Sequence, residues 1–82
     1  MKRIYFSDDA KADVRAVPQP IVLNILHAIQ RLAESGGGDI KTLKGKDGDK
    51  RLRVGDYRVR YTEEHPDVLR IHAVKDRKDA YR

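Results

Sequence analysis

Apolar positions follow a helical period in the first half of the chain and a strand period in the second. Lys2–Phe6 is a run of β-formers and reads as a short strand. Ser7 is a ready N-cap, and Asp8 and Asp9 suit a first helical turn. A helix is therefore expected over residues 8–16, closed off by Pro18. Pro20 suits the first position of a second helix. There Val22, Ile25, Leu26, Ile29, Leu32 and Ala33 fall at i, i+3, i+4 spacing and form one buried stripe, which Gly36, Gly37 and Gly38 end. Residues 39–50, rich in Gly, Lys and Asp, read as loop. The period then becomes two. Residues 50–54 and 57–62 alternate on either side of Gly55-Asp56, with Gly first as a type II′ hairpin turn requires. Residues 63–67 read as a second turn, 68–75 as the last strand, and 76–82 as a polar tail with room for one helical turn. The predicted order is β-α-α-β-β-β. This is an α+β fold with a helical hairpin packed on one face of a small, mainly antiparallel sheet, in a single domain spanning residues 1–82.

Composition narrows what such a domain can do. At 82 residues the core is small, since chains of this size bury only about 60% of their unfolded surface. Zero Cys removes disulfide scaffolds, Cys-ligated zinc and thiol nucleophiles together. Mean hydropathy is −0.74 and no apolar run reaches membrane-spanning length, so no membrane partner is expected. The N-terminus lacks a signal-like apolar stretch, and the chain reads as soluble and cytoplasmic. The net charge of +5 is unevenly placed: residues 1–40 carry five basic and five acidic groups, whereas residues 41–82 carry 13 and 8. A localised basic surface is the footprint of a polyanion binder.

The hairpin turn sets a register that sharpens this. A Gly55-Asp56 loop pairs Val54 with Tyr57, Arg53 with Arg58, Leu52 with Val59, and Arg51 with Arg60. Leu52, Val54, Tyr57, Val59 and Tyr61 then face the helices, and Arg51, Arg53, Arg58 and Arg60 face away. Like charges directly opposed on a sheet destabilise it, so something must offset them. A bound polyanion does so. Acidic neighbours such as Glu63, Glu64 or Asp76 would also do so, as would long side chains splayed into water. Turning Leu69, Ile71 and Ala73 to the core puts Arg70 and His72 on the arginine face, where His72 is a weak acid–base candidate. His27 is expected to be partly buried in the second helix and His65 exposed in a turn. No His pair has metal-ligand spacing, and no metal site or cofactor is expected. Gly45-Lys46 is followed by Asp47, so there is no phosphate-binding P-loop, and Asp47-Gly48-Asp49 lacks the rest of a calcium loop.

The stretch Lys50–Tyr61, with Arg-Val-Gly-Asp-Tyr-Arg at its centre, is preceded by Leu43-Lys44-Gly45 and followed by Arg77–Arg82. It resembles the RelE/ParE superfamily of bacterial type II toxins, and the resemblance runs over nearly the whole chain. It implies a toxin of a toxin–antitoxin system, a metal-independent endoribonuclease that enters the ribosomal A site, cleaves mRNA and inhibits translation. It also implies a cognate antitoxin encoded by an adjacent gene, and operator DNA bound through the toxin–antitoxin complex. By the same resemblance the family's basic strand pair corresponds to Arg51 and Arg53. The arginine after the turn corresponds to Arg58, and the C-terminal arginine and tyrosine to Arg77 and Tyr81. Arg51, Arg53, Arg60, Lys46, Lys50 and Arg70 would form the RNA-binding surface.

The implied reaction is in-line attack of a ribose 2′-OH on the adjacent phosphate. Tyr81 is the candidate base if nearby cations lower its pKa, Arg58 and Arg77 clamp the phosphate, and Arg51 and Arg53 position RNA. Some members have Lys in the strand pair, and many have a basic residue where this chain has Asp76. The general acid is thus unassigned, with His72 the weak candidate. Two other functions share the fold. One is a ParE-like inhibitor of DNA gyrase, and the other is a non-catalytic toxin-fold protein that binds antitoxin and operator DNA.

Overall fold

The computed structural model describes residues 2–42 and 49–76. The expected sites Lys46, Arg77 and Tyr81, the 76–82 tail beyond Asp76, and the side chain of Glu64 lie outside what is described. The elements are β1 (Arg3–Phe6), α1 (Asp8–Ala16), α2 (Gln19–Ser35), β2 (Asp39–Thr42), β3 (Asp49–Val54), β4 (Tyr57–His65) and β5 (Val68–Asp76). They form one five-stranded mixed sheet in the order β1-β5-β4-β3-β2. Only β1 and β5 run parallel; the other neighbours are antiparallel. The chain leaves one sheet edge through the helical hairpin, enters at the opposite edge as β2, and returns strand by strand until β5 lies beside β1. The connection across the sheet is therefore the helical layer itself.

Local chemistry explains the helix ends. Ser7 Oγ accepts a hydrogen bond from the Ala10 amide at 3.1 Å, a true N-cap, and its hydroxyl also lies 3.2 Å from the His72 carbonyl, to which it donates. One side chain thus both starts α1 and ties it to β5. Asp13, one turn on, accepts from the Val74 amide at 3.0 Å and from Lys75 Nζ at 2.9 Å. That contact satisfies a strand amide at the part of β5 that lies beyond its pairing with β1. Gly36 closes α2 in the left-handed region at φ 72°, where its amide reaches the Leu32 carbonyl at 2.9 Å.

The core lies between the helices and one face of the sheet. Ile25, Ile29, Leu32 and Ala33 of α2 meet Leu52, Val59, Tyr61, Leu69, Ile71 and Val74 of the strands, with Ala10 and Val17 from the first helix and its end. Most of the expected stripe is thus inside. Leu26 is the exception, 38% exposed, because it lies toward the flank of the stripe. His27 is exposed rather than partly buried.

Two strand-level expectations are corrected. Residues 39–42 are a strand and not loop: Asp39–Thr42 pairs with Lys50–Arg53 and sets Ile40 opposite Leu52. Backbone pairing with β3 makes this strand, and its single apolar residue leaves little pattern to read. β5 also breaks its alternation. Tyr61 pairs with Ile71 and Arg60 with Ala73, so His72 is an extra residue in a β-bulge. Val74, 3% exposed and opposite Val59, takes the core place expected for Ala73, and Ala73 lies across from Arg60. In addition, β4 runs on to His65, so the second turn shortens to Pro66-Asp67.

A second irregularity of β4, between Thr62 and His65, accompanies a charged cluster. Glu63 forms ion pairs with Lys2 and, at 3.2 Å, with Lys50. The hydrogen bond from Lys2 holds the Glu63 carboxyl below its usual value of 4.5, and Lys50 adds to this against the opposing effect of burial. A carboxyl depressed in the folded state contributes stability that is full above the unfolded value and is lost as pH falls through the folded one. Glu63→Gln should therefore cost about 1 kcal/mol near neutral pH, and the difference from wild type should shrink away as pH falls below the ordinary carboxylate range. Urea unfolding in both pH ranges measures it. An equal deficit in both would show that the carboxylate charge is not what stabilises.

Candidate functional site

The turn-based register is realised pair for pair. Val54 pairs with Tyr57, Arg53 with Arg58, Leu52 with Val59, and Arg51 with Arg60. Gly55 has φ 59°, and no residue other than glycine has positive φ among the described residues, as a turn with Gly in its first central position requires. Leu52, Val59 and Tyr61 are buried against the helices, which leaves the four arginines on the uncovered face of the sheet. Arg53 and Arg60 are exposed, and Arg51 and Arg58 half-buried. Arg53 Nε donates to the Gly55 carbonyl at 3.4 Å, a weak bond that leans its guanidinium toward the turn.

The neighbouring strands extend this face. Lys41 of β2 sits beside Arg51, and Lys75 of β5 beside Arg58. Arg70 lies beside Thr62, and β1 adds Arg3 and Tyr5 at the far edge, Tyr5 in register with Arg70. Against these stand two carboxylates of the described residues, Asp39 next to Arg53 and Asp49 next to Thr62. Of the acidic groups expected as neutralisers, Glu63 is turned to the other side. Glu63 is engaged by Lys2 and Lys50, and Asp76 pairs with Tyr57, whose side of the sheet faces the helices. The positive field of this face is thus concentrated, and its low-dielectric sheet backing strengthens it toward an anion.

The structure sorts the expected site residues. Arg51, Arg53, Arg58, Arg60 and Arg70 share the uncovered face. Lys50 does not: it pairs with Tyr61, whose side chain is 1% exposed in the core, so it turns toward the helix side and binds Glu63 instead. The strict alternation of β3 imposes this, because Lys50 is one residue out of phase with Arg51. His72 lies on the arginine face with its Nε2 2.8 Å from Thr62 Oγ1. One ring nitrogen is thereby occupied, and only Nδ1 can exchange protons with a ligand. Its neighbour across the sheet is Arg60, and it stands about 7 Å along the strand from the Arg58 row. Asp76, the last described residue, ends β5 at the same end of the sheet as Arg58. Among the described residues no group of three His, Cys, Asp or Glu side chains is arranged to hold a metal, and no helix is long and apolar enough to cross a membrane.

Tyr61 is removed from the roles a tyrosine on this hairpin could take. Burial, aided by the nearby Glu63 charge, pushes its phenol up to about 12. It is a core side chain and no proton acceptor at neutral pH. Tyr5 is the residue that periodicity did not single out: read as a β-former, it is 47% exposed on the basic face. Its available signal was parity, since Ile4 and Phe6 pack on the core and Tyr5 between them must point the other way.

No family model and no curated relative matches this sequence. Solved structures do. A chain of the RelB–RelE antitoxin–toxin complex from Methanococcus jannaschii matches with a TM-score of 0.79 and 28% identity, over 94% of each chain. The isolated RelE toxin of E. coli matches with a TM-score of 0.80 over 99% of this chain and 96% of its own, at 14% identity. The YoeB dimer of Staphylococcus aureus matches with a TM-score of 0.76 and 23% identity, over 90% and 94%.

Proposed function

We propose that this chain, which shares the fold of RelE toxins, is a RelE-like toxin of a toxin–antitoxin pair acting as a ribosome-dependent endoribonuclease on mRNA. The carrying observation is the single-sided arginine face: two opposed Arg–Arg pairs, Arg51 with Arg60 and Arg53 with Arg58, on the side of the sheet away from the helices. An RNA backbone offsets this repulsion, and guanidinium groups suit bidentate phosphate contacts. The structural neighbours include complexes with RelB antitoxins, which supports an antitoxin partner for this chain.

The chemistry is the one the family resemblance implies for these residues. A 2′-oxygen attacks the adjacent phosphorus as its proton passes to the phenolate of Tyr81, a form that the cations Arg77, Lys78 and Arg82 beside it in sequence would favour. The new O–P bond forms as the bond to the 5′-oxygen breaks, and that oxygen takes a proton, leaving a 2′,3′-cyclic phosphate and a 5′-hydroxyl. Arg58, with Arg77 directly after Asp76 in sequence, neutralises the phosphorane charge, and Arg51 and Arg53 set the strand in line. His72, through Nδ1, is the candidate proton donor among the described residues.

Primer extension on mRNA from a translating extract tests this. Codon-phased cuts that require ribosomes are expected. Tyr81→Phe should remove cutting by at least about 100-fold while leaving RNA binding intact. Intact mRNA together with gyrase-dependent DNA breaks would replace the nuclease with a gyrase inhibitor. Neither effect, with antitoxin and operator binding kept, would leave a non-catalytic toxin fold.

A further inference from the structure

We infer that Tyr5 is a stacking platform for a base of single-stranded RNA, at the far end of the track whose phosphates the arginines hold. The inference rests on the RNA-binding reading of that face and adds a subsite to it.

An aromatic ring left 47% exposed on a sheet face otherwise dominated by cations is uneconomical unless something covers it. Its position favours RNA as the cover. Tyr5 lies in register with Arg70, and Arg3 stands two residues away on the same face, so the ring is flanked by charge along β1 and across to β5. An apolar partner protein would have to desolvate both guanidinium groups to reach the ring. A nucleotide presents an apolar base face to the ring and a phosphate to the arginines, and so satisfies both at once.

The spacing also fits. From the Tyr5 row to Arg58 is about 10 Å across two strand intervals and about 13 Å along the strands. The two displacements combine to about 16 Å, so the stacked base belongs to a nucleotide a few positions along the strand from the one whose phosphate Arg58 holds, and the contact lies away from the reacting atoms. Tyr5 would set affinity and register along the strand without serving as a catalytic residue. Every base has a π-face, so the platform would be tolerant of sequence.

The test measures fluorescence anisotropy with a labelled single-stranded RNA of about ten nucleotides and with an abasic ribose-phosphate oligomer of equal length. Tyr5→Leu should weaken RNA binding about five- to tenfold and leave abasic binding unchanged, whereas Tyr5→Phe should bind as wild type. The chain contains no Trp, so Tyr5→Trp supplies a unique fluorophore, which RNA but not the abasic oligomer should quench. Arg51→Ala should weaken both probes and lower the salt dependence of binding. Tyr5→Leu binding RNA as wild type does, or losing equally on both probes, would overturn the stacking role while the arginine result stands. Failure of wild type to bind either probe would overturn the stacking role and the RNA reading together.

Discussion

Arg58→Ala should reduce ribosome-dependent mRNA cleavage by about 100- to 1000-fold, the usual loss when one preorganised charge donor to a transition state is removed. Arg58 sits between Arg53 on one side and Lys75 on the other. Two guanidinium groups from adjacent strands therefore stand side by side near the end of the sheet where the described chain finishes, while the Lys75 ammonium is held by Asp13 at 2.9 Å. A phosphorane carries more negative charge than the phosphodiester before it, so the central cation should matter more to turnover than to binding. Arg58→Lys should recover only part of the loss, because an ammonium keeps the charge but cannot make two parallel hydrogen bonds. Stability should move by no more than about 0.5 kcal/mol, as for a surface change outside the core. Primer extension gives the first quantity and thermal unfolding the second. Wild-type cutting by the alanine variant would remove Arg58 from the reaction.

Ile71→Ala should give the largest loss of stability, about 3–4 kcal/mol. Ile71 is fully buried on β5, between Phe6 of β1 and Tyr61 of β4, and its backbone carbonyl receives the Ser7 amide at 2.9 Å. The one side chain thus joins the parallel and antiparallel parts of the sheet where α1 begins. A domain of this length has about 4–12 kcal/mol in all, so about a quarter or more is at stake. The melting temperature should drop by roughly 15–25 °C. Leu23→Ala, at a position 53% exposed on α2, is the control and should change stability by less than about 0.5 kcal/mol. Similar melting curves for the two variants would show that the core is not organised around Ile71.

Much of this architecture was legible because the local signals agreed with one another. Ser7 with its two aspartates, the Pro18 stop, the i, i+3, i+4 stripe of α2 and the left-handed Gly36 all act within a few residues of chain. Physics at that range does not need the rest of the molecule. The same holds for the Gly55-Asp56 turn. It is two residues long, so it dictates which residues of β3 and β4 oppose each other, and with them the four-arginine face.

The misses lie where a distant partner decides. β2 is a strand because β3 offers it hydrogen bonds and Leu52 offers Ile40 a contact. Its own four residues carry too little apolar pattern to announce it. Ile71 and Val74 are both in the core although three residues apart. Only a bulge reconciles that spacing with a strand, and alternation alone places Ala73 inward. Lys50 was grouped with the arginines by sign of charge, yet it is out of phase with Arg51 and belongs to the Glu63 cluster.

What the sequence alone determined, then, is the order of every element but β2, the hairpin register and a basic face opposite the helices. All three follow from short-range turn and cap chemistry and from the two-residue period of a strand. Tertiary structure alone decided the rest: the fifth strand, the bulge that sets His72 against Thr62, the turning of Glu63 away from the arginines, and the placing of Tyr5 beside Arg70. Each of these needs two segments far apart in the chain to meet, and β1 reaches β5 only after the chain has crossed the whole sheet through its helices. No local pattern encodes such a meeting, because the energy that selects it comes from burial and backbone pairing shared between both partners.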